Sequence, residues 1–294
     1  MFNDFKKNYN IYKFKIFTNK LSLLTNILHI INYFFAVFIY LFFNIKKFLF
    51  QKNFDYLLIR KKGFFIYKPK IDNDFFLLRD NIIDCLDKKK NLLKSNNKIT
   101  FLDPSLFPNS HLLIMFSKDL IDMIENYYTS SFQIYSYHIY RTSFQNNDTE
   151  DSYLWHTDNS TRHSLKLMIY LDDVSADSGA MQILNSKKSK FLFDKGFYER
   201  NQYNNFKNYL DDSKDISVCN GSIGDIVIFR NSYCVHKATK PKVTKRDVIN
   251  INIYPSIKKF NTEFYRHNLN KTFYNFGYSL NPFNNYPQES LIEK

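Results

Sequence analysis

Trp155-His156-Thr157-Asp158, followed by the run Leu165 to Leu171, decides how this chain is read. Side chains on a strand alternate between faces, so His156 and Asp158, two residues apart, share one. Far downstream stand His236 and, ten residues later, Arg246. Two imidazoles and one carboxylate can grip one face of a metal ion, and an arginine can hold a carboxylate through a bidentate fork.

Working outward from this stretch, strands dominate. Phe132 to Thr142 is rich in Ile and Tyr with a two-residue period, and Tyr153 to Asp158 reads as the strand carrying the motif. Leu165 to Leu171 is nearly continuously apolar, as in a strand buried on both faces. Ser175 to Gly179 turns the chain into Ala180 to Leu184, and the polar segment 186–217 predicts a helix or lid. Gly221 to Asp225 is a tight turn feeding Ile226 to Phe229, and Val248 to Tyr254 alternates as the last strong strand. Upstream, Phe54 to Arg60, Leu77 to Leu93 and Leu112 to Tyr128 read as helices, with a strand at Gly63 to Tyr67. Helices followed by many short strands predict a mainly β fold, closed or sandwiched, with helical cover.

The N-terminus has a different character. Residues 1–20 are polar and basic, whereas residues 21–45 contain no Lys, Arg, Asp or Glu and are closed by Lys46 and Lys47. That length matches a membrane-spanning helix of roughly 20 residues. Asn26, His29, Tyr33, Ala36, Tyr40 and Asn44 recur at spacings of three and four, however, and form a weakly polar stripe on one helix face. Three readings stand open: a span, an anchor lying in the membrane interface, and a helix packed on the main domain. The expected organisation is residues 1–50 as this basic segment with its hydrophobic helix, 51–260 as the main domain, and 261–294 as a tail.

Composition narrows the class. The net charge is +13, but Lys and Arg are spread along the chain with no basic block, which argues against a specific nucleic-acid surface and leaves anionic small molecules or an acidic membrane face as partners. Three cysteines, Cys85, Cys219 and Cys234, lack the short spacings of a disulfide framework or zinc knuckle and predict a reducing, cytoplasmic setting.

A His-x-Asp pair alone is a weak signal, because two such residues often do no more than bond each other or the backbone. Order and surroundings make it specific. Trp-His-x-Asp is followed by the buried strand and Asp172-Asp173, then by Asp177 to Leu184, the Gly224-Asp225 turn, His236 and Arg246. His138 and His163 are rival ligands without a partner at fixed spacing. Two neutral imidazoles and a carboxylate form the facial set of non-haem Fe(II) oxygenases. Lys166 and Asn250 are further candidates for co-substrate binding, Lys166 because it lies on the opposite strand face from Leu165 and Leu167. Trp155 points away from His156 and reads as packing, while Asn159, Arg162 and His163 fall where the mouth of the site is expected.

This arrangement resembles the phytanoyl-CoA dioxygenase family of Fe(II)- and 2-oxoglutarate-dependent oxygenases, over roughly residues 54 to 255. The resemblance implies a double-stranded β-helix core of jelly-roll or cupin-like type with N-terminal helices. It implies that His156, Asp158 and His236 bind iron and that Arg246 pairs with the far carboxylate of 2-oxoglutarate. One departure is clear: where the family continues into Pro-Gly-Ser-His, this chain has Asn185-Ser186-Lys187-Lys188. The expected activity is an O2-consuming dioxygenase that hydroxylates a small-molecule or lipid-linked substrate and releases succinate and CO2. A carboxylate at Asp158 favours hydroxylation over halogenation, which needs that coordination position. The rival from another class is a non-catalytic, membrane-associated cupin-like protein that binds a ligand; a nucleic-acid demethylase is suggested by the +13 charge alone.

Overall fold

The fold is taken from a computed structural model, which describes residues 23–49, 55–90, 92–95, 99–102, 115–144, 151–158, 163–197, 200–210, 213–243, 245–257 and 259–260. The larger of two sheets is built from β1 (Phe64–Tyr67), β2 (Leu92–Ser95), β3 (Ile99–Leu102), β4 (Ser131–Thr142), β5 (Leu165–Tyr170), β8 (Ile226–Phe229) and β10 (Arg246–Ser256). Their spatial order is β1-β8-β5-β10-β4-β3-β2, with antiparallel pairing between neighbours. The smaller sheet has β6 (Gln182–Leu184) between β7 (Ile216–Val218) and β9 (His236–Lys237).

Alternation assigns the two faces of the larger sheet. Leu165, Leu167 and Ile169 of β5 join Ile249, Ile251 and Ile253 of β10 in an outer core. Helices α3 (Asn73–Asp87) and α4 (Lys118–Tyr128) cover it with Phe75, Leu78, Ile82 and Leu120. Burying each such side chain stabilises by roughly 1.5–3 kcal/mol. The opposite face, with Met168, Tyr170, Val227, Phe229 and Val248, packs on Ala180, Met181, Ile183, Cys219 and Cys234 from the side of the smaller sheet. Two stacked antiparallel sheets with helices on the outer face are the double-stranded β-helix core expected from the sequence.

Capping corrects the helix boundaries. Asp72 accepts a hydrogen bond from the Phe75 amide, so α3 starts at Asn73 rather than Leu77. It ends at Asp87, well before Leu93, and Lys89 adopts a positive φ of 49° just beyond. Ser117 caps α4 through the Leu120 amide, which sets its start at Lys118 rather than Leu112. The short helix expected from Phe54 is α2 (Tyr56–Lys62). The polar segment after residue 185 forms α5 (Ser186–Asp194) and α6 (Tyr203–Leu210), and Asn185, where the family motif is missing, caps α5 through the Lys188 amide.

Two expectations change. Tyr153 to Asp158 is not a regular strand: Asp151–Tyr153 is a 3-10 turn and His156 makes an isolated bridge to His236. β9 offers two residues, so the ladder cannot extend, and Asp158 instead donates its amide to the Asn231 carbonyl. The membrane-span reading of residues 21–45 is also corrected. Among the described residues no helix is long and apolar enough to cross a membrane. Helix α1 (Leu23–Leu49) lies on the protein through its polar stripe: Asn32, Ala36 and Tyr40 are buried, Tyr33 donates to the Tyr128 carbonyl and Tyr40 to Glu125. Its two faces differ because only the mixed one finds hydrogen-bond partners on α4. The tail from residue 261, Asn159 and Arg162 lie outside the described residues.

Candidate metal centre

The site forms where the smaller sheet meets β5 and β8 of the larger. His156 and His236 exchange backbone hydrogen bonds of 2.9 and 2.8 Å, which sets their imidazoles side by side with ring centroids 4.6 Å apart. His156 Nδ1 bonds the Leu154 carbonyl at 2.7 Å, and His236 Nδ1 bonds the Cys234 carbonyl at 2.9 Å. A carbonyl can only accept, so each neutral ring carries its proton on Nδ1 and a lone pair on Nε2. Both Nε2 atoms stand 3.6 Å from Asp158 Oδ1, beyond ordinary hydrogen-bond length. The ligand atoms of His156, Asp158 and His236 lie within 4.8 Å of one another, and among the described residues they are the one cluster of this kind.

The other carboxylate oxygen is fixed from behind. Asp158 Oδ2 accepts from the Lys166 ammonium and, at 3.0 Å, from the Asn231 side-chain amide. Burial opposes charge on Asp158, yet Lys166 and the two imidazoles outweigh it and hold the carboxyl well below its usual range. Burial lowers the His236 pKa against the pull of Asp158, so the ring stays neutral and able to ligate. An anionic carboxylate and two imidazole Nε2 atoms aimed at one point are the donor set of a borderline divalent cation such as Fe(II).

Arg246 and Asn250 line the same barrel interior, because they share the β10 face opposite Ile249 and Ile251. The Arg246 side chain is buried and donates to the Gly179 carbonyl and the Thr142 hydroxyl. Among the described residues no carboxylate pairs with it, and its Nε has no hydrogen-bond partner. Asn250 donates to the Tyr140 hydroxyl at 3.0 Å and leaves its buried Oδ1 without a partner. A buried guanidinium without an anion is costly, and a ligand carboxylate would offset that cost.

The predicted residues therefore gather as follows. His156, Asp158 and His236 converge; Lys166 reaches the same carboxylate from β5; Arg246 and Asn250 face the interior from β10. Trp155 is fully buried in a separate cluster with Leu184, Leu192 and Phe197. His138 is pushed down to about 4 by burial, with the Lys166 charge adding to the effect, and His163 stacks on Tyr33 of α1 at 4.0 Å. Neither joins the triad. Sequence reasoning missed Asn231, Gly179 and Thr142. Asn231 stands two residues past β8 with no motif of its own, and the other two act partly through backbone or through register, which no residue type announces.

Comparisons with known proteins agree with this architecture. Residues 131–245 match the model of the family Phytanoyl-CoA dioxygenase (PhyH). The solved structure of the epimerase SnoN with Fe3+, alpha ketoglutarate and nogalamycin RO is similar at a TM-score of 0.51 and 11% identity, over 79% of this chain and 93% of that one. EctD from S. alaskensis with bound Fe gives 0.51 and 9%, over 68% and 75%. The alpha ketoglutarate dependent carbocyclase SnoK from nogalamycin biosynthesis gives 0.50 and 11%, over 71% and 86%. No curated protein matches the chain in sequence. Such low identities carry the fold and nothing finer. The matched residues 131–245 span the triad and end one residue before Arg246.

Proposed function

We propose that the chain is an Fe(II)- and 2-oxoglutarate-dependent dioxygenase that hydroxylates a small-molecule substrate and releases succinate and CO2. The observation that carries this reading is the convergence of His156 Nε2, His236 Nε2 and Asp158 Oδ1, with both Nδ1 atoms tied to backbone carbonyls. Iron bound with 2-oxoglutarate and dioxygen supplies an oxidant strong enough to take a hydrogen atom from carbon. The chain's own residues prepare for it. His156 and His236 offer preset lone pairs, and Lys166 with Asn231 turns Asp158 so that Oδ1 faces the metal position. Arg246 offers its buried guanidinium to the distal carboxylate of the co-substrate, and Asn250 offers a polar edge beside it. Met168, Phe229 and Val248 keep this interior dry, which strengthens each charge interaction.

The solved relatives support the metal and co-substrate, since their descriptions include Fe, Fe3+ and alpha ketoglutarate. Those relatives include an epimerase and a carbocyclase; the carboxylate at Asp158 speaks against halogenation, which needs that coordination position. We place the oxygenase unit at residues 51–260, with 1–50 and 261–294 as its flanking segments. Anaerobic titration with Fe(II) and 2-oxoglutarate tests the reading. A charge-transfer absorption that needs both additions, followed by succinate on aeration, is the expected result. Absence of both would leave the rival, a ligand-binding barrel without catalysis.

A further inference from the structure

The feature of the molecule that the metal centre does not use is the outer face of α1. Ile27, Ile31, Phe34, Phe38 and Phe42 recur every three or four residues and are exposed, with Phe34, Phe38 and Phe42 at 66, 70 and 71%. Phe35 flanks this ridge, also exposed. The opposite face is spent: Asn32, Ala36 and Tyr40 are buried against the domain. A contiguous aromatic ridge, left exposed among the described residues on a helix already fastened by its other face, has the character of a docking surface.

We propose that α1 seats the protein on an acidic phospholipid surface, lying in the interface plane with the Phe34–Phe38–Phe42 ridge among the acyl chains. Charge selects this occupant. The chain carries a net +13, and in sequence the uncharged stretch is bracketed by Lys6, Lys7, Lys13, Lys15 and Lys20 before it and Lys46 and Lys47 after it. A net charge of +13 draws the chain to an anionic headgroup layer, whereas two copies of it repel each other. The helix lies along the bilayer rather than through it, since its inner face hydrogen-bonds through Tyr33 and Tyr40 to Tyr128 and Glu125 and no described helix is apolar enough to cross.

Vesicle co-sedimentation of the full chain, without iron or 2-oxoglutarate, tests this independently of the catalytic reading. Vesicles of phosphatidylcholine with about 30% phosphatidylserine should bind the protein at least about tenfold more tightly than phosphatidylcholine alone, and high salt should remove most of the difference. The combined Phe34→Ser, Phe38→Ser, Phe42→Ser variant should lose binding by about tenfold or more while keeping its circular dichroism and melting temperature. If that variant fails to fold, Phe38→Ser and Phe42→Ser singly carry the same comparison. Wild type that ignores acidic vesicles, or variants that bind as wild type does, would overturn the proposal. So would a dimer in light scattering that the variants dissociate, which would assign the ridge to a second copy. Unchanged sedimentation with succinate production lost would count against the metal centre alone.

Discussion

Arg246 and Asp247 are neighbours on β10, yet they belong to two different kinds of charged site. Asp247 points to the outer face, where Arg141 clasps it with Nε and Nη2 at 2.7 Å each and reaches Asp87 at 2.6 Å. Lys245 bonds Asp87 as well, so the cluster closes on itself. Arg246 points inward and has carbonyl and hydroxyl acceptors but no carboxylate among the described residues. Asp158, on the same interior, is braced through Oδ2 while its Oδ1 stands 3.6 Å from two imidazole nitrogens. Burial costs charge in both places. The difference lies in where the compensation comes from: wholly within the chain on the outer face, and on the inner one from Lys166 and Asn231 together with, in the function proposed, a metal ion and an anion.

The contrast is open to direct attack. Asp158→Ala should abolish Fe(II) binding and cut succinate production by roughly a thousandfold or more, because it removes the one anionic ligand. A residual rate near that of the wild type would place the chemistry elsewhere. On the outer face, Arg141→Ala should leave the fully buried Asp247 carboxylate with only Lys245, 3.9 Å away, as a charged partner and lower folding stability by up to about 3–5 kcal/mol in urea unfolding. The folded fraction should still bind iron, since the two clusters share no residue.

His138 gives an intermediate effect. It stays neutral in the folded protein down to about 4 but takes a proton near 6.5 when unfolded. Between those values the unfolded state binds more protons, so stability is full above 6.5 and falls as pH drops. The loss attributable to His138 should be about 2–3 kcal/mol by pH 4.5, and His138→Gln should flatten the profile by that amount. A profile identical in the variant would show that His138 is not the buried group that matters. The smallest effect belongs to the brace behind the metal ligand. Asn231→Ala should weaken Fe(II) or Co(II) affinity by about 10–100-fold without shifting the melting temperature of the metal-free protein much.

Much of this was legible in the chain because period and order are local. The two-residue alternation in Leu165 to Leu171 and Val248 to Tyr254 sets Lys166 on the strand face opposite Leu165 and Leu167, and Arg246 with Asn250 on one face of the last strand. The tight turn at Gly224 also stood out, and its φ of +84° is one that residues with a Cβ rarely adopt. Helix ends were misplaced at Leu77 and Leu112 because apolar spacing continues past the caps, and Asp72 and Ser117 decide the start. The motif strand was overextended because a bridge of one residue pair leaves no periodic trace. Asn231 carried no signal, since its role depends on where the chain passes after β8.

Sequence by itself determined the types and order of the candidate ligands and the strand faces of Lys166, Arg246 and Asn250, because residue chemistry and backbone period are properties of short segments. Tertiary structure alone decided that the two Nδ1 atoms meet carbonyls and that Lys166 meets Asp158. It decided too that Arg246 finds no anion among the described residues, and that α1 turns its mixed face inward and its phenylalanines out. Those outcomes depend on contacts between segments far apart in the chain, and the physical reason is burial. A polar group taken out of water must find a partner, and which partner is within reach is set by packing rather than by sequence distance.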